Sequence, residues 1–325
     1  MPNKNLEILL SEYNEKRIRA EEELDKRKEN IYKKIPRLEE IENEINKIAI
    51  SKTRAILNHQ ENIEELDFHI KQLKQEKDEI LKKENINLEK KYECNICKDT
   101  GYIYKENSKT IMCNCLKQKL LNMSYNQSNL SDIKNDNFEN FNLEIFSDEG
   151  KRSPRKNINN IKKACIQFVD DFDNLETKNL LFIGNTGLGK TYMSHCIANE
   201  LLKRGKNVLY QTAPVLLETV IDNKFNKYKN QNADDFYNNI LTVDLLIIDD
   251  LGTECLNSMK LSELFTILNT RILNLNNKPT KTIISTNLSI EQIFRTYEER
   301  IGSRIAGYYD IYQFFGDDLR LKQNI

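Results

Sequence analysis

Residues 4 to about 90 carry apolar side chains at the three- and four-residue steps that are typical of long helices. Leu38, Ile41, Ile45 and Ile48 follow this spacing, and charged residues fill most positions between them. A narrow apolar stripe on each helix predicts helices that pack on one another or on a partner. An antiparallel hairpin and an intermolecular coiled coil both fit the pattern, and so does a solvated helical spacer.

From residue 153 onward, short apolar runs alternate with amphipathic stretches. Strands are predicted at 180–183, 207–211, 243–248, 281–286 and 311–315. Helices are predicted near 191–204, 213–224, 257–275 and 289–305. This alternation is typical of an α/β domain in which helices cover both faces of a parallel sheet.

Changes in composition predict four regions along the chain. They are a helical, coiled-coil-like docking region at 1–91, a zinc-binding module at 92–121, a linker at 122–152 and the α/β domain at 153–325. The linker is rich in Asn, Asp and Ser but contains three phenylalanines that are candidate anchors, namely Phe138, Phe141 and Phe146.

Charge and hydropathy limit the classes of partner. The 325-residue chain has a formal net charge of −1, which excludes a protein that coats duplex DNA by bulk electrostatic attraction. No apolar stretch approaches the roughly 18 residues that a membrane span requires. The N-terminus also lacks the apolar core of a signal peptide. We therefore expect a cytoplasmic protein without a membrane partner.

Residues 184–191 match the phosphate-loop pattern G-x-x-x-x-G-K-[ST] at every fixed position, between an apolar strand and a helical segment. The glycines allow successive backbone N–H groups to converge on phosphate oxygens. Lys190 adds a positive charge, and the Thr191 hydroxyl is a ligand for Mg²⁺. The predicted nucleotide-binding residues of this loop are Gly184, Asn185, Thr186, Gly187, Leu188, Gly189, Lys190 and Thr191.

Two further strands are predicted to end in polar residues. Asp249 and Asp250 end the run that starts at Val243, and Asn287 follows the apolar strand 281–286. Asp249 is the predicted magnesium ligand, and Asp250 is a candidate to orient or deprotonate the attacking water. Asn287 is predicted to hydrogen-bond that water or the γ-phosphate. Turn residues without a catalytic role are the alternative at these positions.

Arginines near the C-terminus are candidates for stabilising charge on a transferred phosphate. Arg300 and Arg304 lie four residues apart, and hence on one face of a predicted helix. Arg304 is the stronger candidate to act on a neighbour's γ-phosphate, and Arg320 is a later candidate to sense the phosphate. The alternative is a surface helix with ion pairs to Glu298 or Glu299.

Four of the seven cysteines fall in one short window, as Cys94-x-x-Cys97 and Cys113-x-Cys115. Four thiolates are a complete tetrahedral shell for a structural zinc ion. The second pair is more closely spaced than the usual C-x-x-C, so a redox pair and free thiols remain alternatives to a zinc site.

A different candidate is the segment Lys224–Lys229, which interleaves basic and aromatic residues. It fits either binding of single-stranded DNA or an exposed helix end.

The order of these motifs resembles that of the DnaC/DnaI-type AAA+ ATPases, which load replicative helicases and share their core with IstB-like transposition helpers. The resemblance covers residues 150–325 and rests on the phosphate loop and three segments: Leu246–Glu254, Ile283–Asn287 and Glu299–Arg304. The four-cysteine module also resembles the one that precedes the core in many of these loaders.

The resemblance implies an AAA+ core that binds ATP and Mg²⁺ and associates with copies of itself through its ATP sites. It implies that Asn287 is the first sensor, Arg320 the second sensor, and Arg304 a finger that acts across a subunit interface. The implied partners are the replicative DNA helicase and single-stranded DNA. Asp250 stands where many AAA+ proteins have Glu, which predicts slow hydrolysis. A transposition helper, a small-molecule kinase and a scaffold with a vestigial site are the alternatives.

Overall fold

The structure is a computed structural model that describes residues 4–57, 63–104, 110–124, 136–149, 152–225, 233–275 and 278–322. The chain forms two compact units, Met1–Cys113 and Asn114–Ile325. The four-region division expected from the sequence stays a prediction.

The first unit contains three long helices and a short antiparallel hairpin. Their bounds are α1 Lys4–Lys34, α2 Pro36–Leu57, α3 Ile63–Lys83, β1 Tyr102–Tyr104 and β2 Thr110–Met112. Arg37, near the start of α2, pairs with Glu76 near the end of α3, at 2.8 Å. Lys52, late in α2, pairs with Asp67, early in α3. The two helices therefore run antiparallel within one chain, as the hairpin interpretation expected.

The second unit is the α/β domain. Its helices are α4 Asn114–Ser124, α5 Pro154–Asp170, α6 Lys190–Lys203, α7 Ala213–Phe225, α8 Ala233–Thr242, α9 Ser258–Asn274, α10 Ile290–Thr296, α11 Glu298–Tyr308 and α12 Leu319–Lys322, with a 3₁₀ turn at Leu143–Ile145. Its strands are β3 Asn179–Ile183, β4 Val208–Thr212, β5 Leu245–Leu251, β6 Lys281–Thr286 and β7 Tyr309–Gln313.

The five strands form one parallel sheet in the order β4-β5-β6-β3-β7. Alternate residues of β3 enter two different apolar clusters, with Leu180 and Phe182 in one and Leu181 in the other. Helices therefore cover both faces of the sheet, which confirms the predicted fold class. Because all strands run in one direction, the loops after β3, β5 and β6 meet at one edge.

One predicted helix is wrong in its extent. The helix expected near 289–305 is two helices, α10 and α11, which meet at Tyr297. Tyr297 has a backbone φ of −111° and ψ of 18°, and the next residue, Glu298, has a positive φ of 63°. A residue in the left-handed region ends the run of helical hydrogen bonds, and the chain changes direction there.

The segment 136–149 is anchored by its phenylalanines to the apolar cluster beneath the sheet. Phe138, Phe141 and Phe146 are all buried in that cluster. The ring of Phe141 lies 5.6 Å from that of Phe146 and 5.5 Å from that of Tyr192 on α6. The segment thus packs as part of the α/β unit.

Lys281 provides a pH-dependent contribution to stability at the opposite edge of the sheet. Its ammonium is fully buried and donates hydrogen bonds to the carbonyl oxygens of Asn174, at 3.0 Å, and Thr177. Burial lowers the pKa of Lys281 from 10.5 to about 8. Between those two pH values the unfolded chain binds a proton that the folded chain does not, so the free energy of unfolding rises with pH.

We therefore expect the free energy of unfolding of the wild type to rise by about 2 kcal/mol relative to that of Lys281→Met between pH 7.5 and 9.5. Urea denaturation at a series of pH values measures the difference. Lys278→Met, which removes a half-exposed lysine paired with Asp244 but keeps Lys281, is the control and should show the same rise as the wild type. A wild-type curve that stays parallel to that of Lys281→Met would contradict the prediction.

Candidate nucleotide-binding site

The phosphate loop lies between the end of β3 and the start of α6, in the strand–loop–helix context that the motif requires. Gly184 has a φ of 147°, and a Cβ atom there would lie 2.3 Å from the carbonyl oxygen of Phe314. Only glycine fits this position, because any side chain would clash with the backbone that follows β7. The helix α6 begins at Lys190 and directs its N-terminal N–H groups toward the loop.

Lys190 lies at the centre of the site, with its side chain almost completely buried. Its ammonium donates hydrogen bonds to the carbonyl oxygens of Gly184, at 2.6 Å, and Asn185, at 2.7 Å. It donates a third to Oδ1 of Asn287, at 2.8 Å. Burial lowers the pKa of Lys190, and the carboxylates of Asp250 and Asp249 oppose that shift. The strand-end amide and the loop lysine therefore meet as expected from the sequence.

Asp249 lies at the carboxyl end of β5 and receives hydrogen bonds from three strands or helices. Thr191 Oγ1 donates to its Oδ2 at 3.0 Å, and the Tyr210 hydroxyl donates to the same oxygen at 2.6 Å. The Ser285 hydroxyl donates to Oδ1. Thr191 and Asp249, the predicted magnesium ligands, are thus in direct contact, and their oxygen atoms suit a hard cation.

Sequence reasoning missed Tyr210 and Ser285. Each lies on a strand next to β5, and sheet order alone brings its hydroxyl to Asp249. Tyr210 is buried, and its hydroxyl fixes the orientation of the carboxylate. A polar hydroxyl near the end of an otherwise apolar strand was the available signal for both residues.

Asp250 has a backbone conformation that is unusual for a non-glycine residue, with a φ of 54°. Its N–H group donates to Asp249 Oδ1 and to Ser285 Oγ, each at 3.1 Å. Burial raises the pKa of Asp250, the charge of Asp249 raises it further, and Lys190 and Arg320 oppose the shift. Asp250 and Arg320 therefore both lie within electrostatic reach of the phosphate loop.

The C-terminal segment that carries Arg320 docks on the phosphate loop of the same chain. The N–H group of Leu319 donates to the carbonyl oxygen of Gly187 at 3.0 Å. Asp318 Oδ1 accepts a hydrogen bond from the N–H group of Arg320 at 2.9 Å. Arg320, the predicted phosphate sensor, therefore lies on a segment that contacts the phosphate loop of its own chain.

The structure distinguishes the two arginines of α11. The Arg300 guanidinium pairs with Glu298 at 2.9 Å and stacks over the ring of Phe265 at 4.8 Å. Arg304 is half-buried and forms no hydrogen bond or ion pair with the part of the chain that the structure describes.

The four cysteines Cys94, Cys97, Cys113 and Cys115 lie together. Their sulfur atoms are all within 4.8 Å of one another, and those of Cys94 and Cys113 are 3.9 Å apart. A tetrahedral zinc ion with Zn–S bonds of about 2.3 Å requires S–S separations of about 3.8 Å. The N–H groups of Glu93 and Cys94 each donate to the Asp99 carboxylate at 2.9 Å, which fixes the first turn of the cluster. The donor set therefore fits zinc.

We predict that the purified, reduced protein contains about one zinc ion per chain and that Cys97→Ser loses it, because three thiolates and a hydroxyl bind zinc far more weakly. Inductively coupled plasma mass spectrometry measures the metal content. Cys255→Ser, at an exposed cysteine outside the cluster, is the control. Wild-type protein without zinc would contradict the assignment.

The segment Lys224–Lys229 is only partly visible, because residues 226–229 lie outside the described residues. Lys224 pairs with Glu263 and lies 5.4 Å from the ring of Tyr237, whereas Phe225 is 68% exposed. The role of the segment in binding single-stranded DNA stays a prediction.

Among the described helices, none has the length and apolarity that crossing a membrane requires.

Comparisons with known proteins agree with the motif order. The model of the family described as "IstB-like ATP binding protein" matches residues 116–324. The chain is 27% identical over 225 residues to the phage-like element PBSX protein XkdC of Bacillus subtilis, covering 66% of this chain and 79% of that protein. It is 28% identical over 183 residues to the replicative helicase loader DnaC of Escherichia coli K12, covering 56% and 68%.

A crystal structure of the DnaC helicase loader also aligns with this chain. The alignment has a TM-score of 0.45 and 21% identity, and it covers 57% of this chain and 99% of that one.

Proposed function

Since the chain belongs to the family of IstB-like ATP-binding proteins, we propose that it is an ATPase that loads the replicative DNA helicase. The observation that carries the ATPase proposal is the meeting of Lys190, Thr191, Asp249 and Asn287 at one edge of the parallel sheet. A charged amine and a hydroxyl at the start of a helix, with a carboxylate and an amide from two strand ends, match the polyphosphate and metal ion of a nucleoside triphosphate.

Each residue has a distinct role in this proposal. Lys190 and the loop N–H groups bind the β- and γ-phosphates, and Thr191 and Asp249 hold Mg²⁺, which neutralises phosphate charge when bound. Asp250 accepts the proton of the attacking water, and Asn287 orients that water.

Two arginines complete the site. Arg320 binds the γ-phosphate from the same chain, and Arg304 reaches it from a neighbouring copy. Homo-oligomerisation through the ATP sites is part of this proposal, because an Arg304 that acts on a neighbour's γ-phosphate requires a second copy at each site.

The loader role is supported by the curated relative that is named a replicative helicase loader. The first unit supplies a separate surface for a partner, since Leu57 and Phe68 on its helices are 74% and 62% exposed. In the proposal this unit and the cysteine cluster bind the helicase, and the α/β unit binds ATP and single-stranded DNA. Hydrolysis of ATP then releases the loader.

A loading assay with purified components tests the proposal. The host's replicative helicase, circular single-stranded DNA, ATP and the full chain are mixed, and helicase retained on the circles is measured after gel filtration. We expect retention that requires both the chain and ATP. The double variant Leu57→Ser/Phe68→Ser should lose retention, whereas Leu273→Ser, at an exposed leucine of the α/β unit, should keep it. Helicase retention that is the same without the chain would refute the loader role.

The second candidate is a transposition helper, because the matching family model is named for IstB-like proteins and the resemblance described from the sequence relates these to transposition helpers. It predicts that the chain binds a transposase rather than the replicative helicase, with the same ATP site. Co-purification of the tagged chain with each partner in turn separates the two functions.

A further inference from the structure

A buried carboxylate–phenol pair connects the loop after β5 with the corner between α10 and α11. Tyr297 is fully buried and its hydroxyl donates to Oε1 of Glu254, which is itself only 9% exposed. The second oxygen of Glu254, Oε2, accepts the N–H group of Gly252 at 2.9 Å. Both carboxylate oxygens of Glu254 are therefore used, one within its own loop and one across to the corner.

The loop that holds Glu254 begins at the ATP site. Asp249 and Asp250 precede Glu254 in the same segment, and Thr286 Oγ1 donates to the carbonyl oxygen of Leu251 between them. A buried carboxylate that loses a hydrogen-bond partner is costly, so this contact resists separation of the loop from the corner. Glu254 and Tyr297 therefore hold the loop and the corner together.

The corner at Tyr297 determines the direction of α11, the helix that carries Arg304. Tyr297 ends α10 through an N–H bond to the Ile293 carbonyl oxygen, at 2.9 Å, and Glu298 begins α11 with its positive φ. The two helices pack tightly, since a Cβ atom at Gly302 would lie 2.7 Å from the ring of Phe294. The helices α10 and α11 are thus packed closely against each other on the two sides of the corner.

We propose that Glu254 and Tyr297 are positioning residues that aim Arg304 at the ATP site of a neighbouring copy. The inference rests on the proposed function, in which Arg304 acts in trans. It deepens that function because it links two parts of one chain. The loop after Asp249 belongs to the chain's own ATP site, and Arg304 acts on the ATP site of the neighbouring copy.

Mixtures of two inactive variants test the proposal on full-length chains. A Lys190→Ala chain donates Arg304 but lacks a working site, and an Arg304→Ala chain has a site but no finger. Their mixture regains ATPase activity only at hybrid interfaces. We expect Tyr297→Phe, added to the Lys190→Ala chain, to lower the regained rate by at least about 10-fold, since a catalytic group misplaced by 1 Å can cost about 100-fold. Added to the Arg304→Ala chain, Tyr297→Phe should leave the rate near that of the parent mixture.

This dependence on which chain carries the change separates positioning from a general loss of structure. Tyr308→Phe removes the hydroxyl of a half-exposed tyrosine on the same helix and is the control in both chains. Glu254→Gln should reproduce the loss in the Lys190→Ala chain only. Equal loss in both chains, or loss in neither, would overturn the positioning role. A parent mixture without ATPase activity would instead overturn the finger in trans, and the positioning role with it.

Discussion

Replacing Lys190 by alanine is expected to weaken ATP binding by at least about 100-fold. Within the described site, three oxygens already surround the ammonium of Lys190. They belong to Gly184, Asn185 and Asn287. Phosphate oxygens offer it full negative charges in their place, and each hydrogen bond between charged groups is worth about 1.5–3 kcal/mol. Losing two such bonds corresponds to about 3–6 kcal/mol of binding free energy.

Isothermal titration calorimetry with a non-hydrolysable ATP analogue and Mg²⁺ measures this loss directly. Lys203→Ala is the matched control, because Lys203 lies on the same helix and pairs at the surface with Glu200. A Lys190→Ala chain that binds the analogue as tightly as the wild type would remove the nucleotide site from this loop.

The central elements of the site were predictable because their signals are local. The phosphate loop is a contiguous motif, and Asp249 and Asn287 each follow an apolar run, so parallel strands bring them to one edge. The motif resemblance was confirmed at the level of the family, which the comparison with the IstB-like family model shows. The roles of the individual site residues stay predictions.

What sequence reasoning missed depends on contacts between distant segments. Tyr210 and Ser285 reach Asp249 only because β4 and β6 flank β5 in the sheet. Glu254 resembles an ordinary loop residue until Tyr297 is placed against it. The break between α10 and α11 was missed because the residues around Tyr297 include no proline, and helix-favouring glutamates follow it.

The two arginines of α11 show how the structure sharpens a choice that the sequence left open. Both lie at helical spacing, and an ion pair with Glu298 was the alternative to a catalytic role for either. The structure gives that ion pair to Arg300, which also stacks on Phe265. The guanidinium of Arg304 forms no ion pair with the described residues, so Arg304 remains the candidate for contact with a neighbouring copy.

Arg304→Ala is accordingly expected to lower the ATP turnover of the assembled protein by about 10³–10⁵-fold, the range for a guanidinium that stabilises a phosphoryl transition state. ATP affinity should change little, because the proposal assigns nucleotide binding to Lys190, Thr191 and Asp249 of the chain's own site. Arg300→Ala should have a smaller effect, since Glu298 and Phe265 already hold that side chain in the free chain.

Steady-state release of phosphate, measured above the concentration at which the chain self-associates, gives the turnover, and calorimetry gives the affinity. Arg295→Ala, at an exposed arginine on α10, is the control for loss of positive charge near this surface. If Arg304→Ala turned over ATP at the wild-type rate, the finger would have to be sought elsewhere. A fall in ATP affinity without a fall in turnover at saturating ATP would instead place Arg304 in nucleotide binding, because lost ground-state binding raises KM and leaves kcat unchanged.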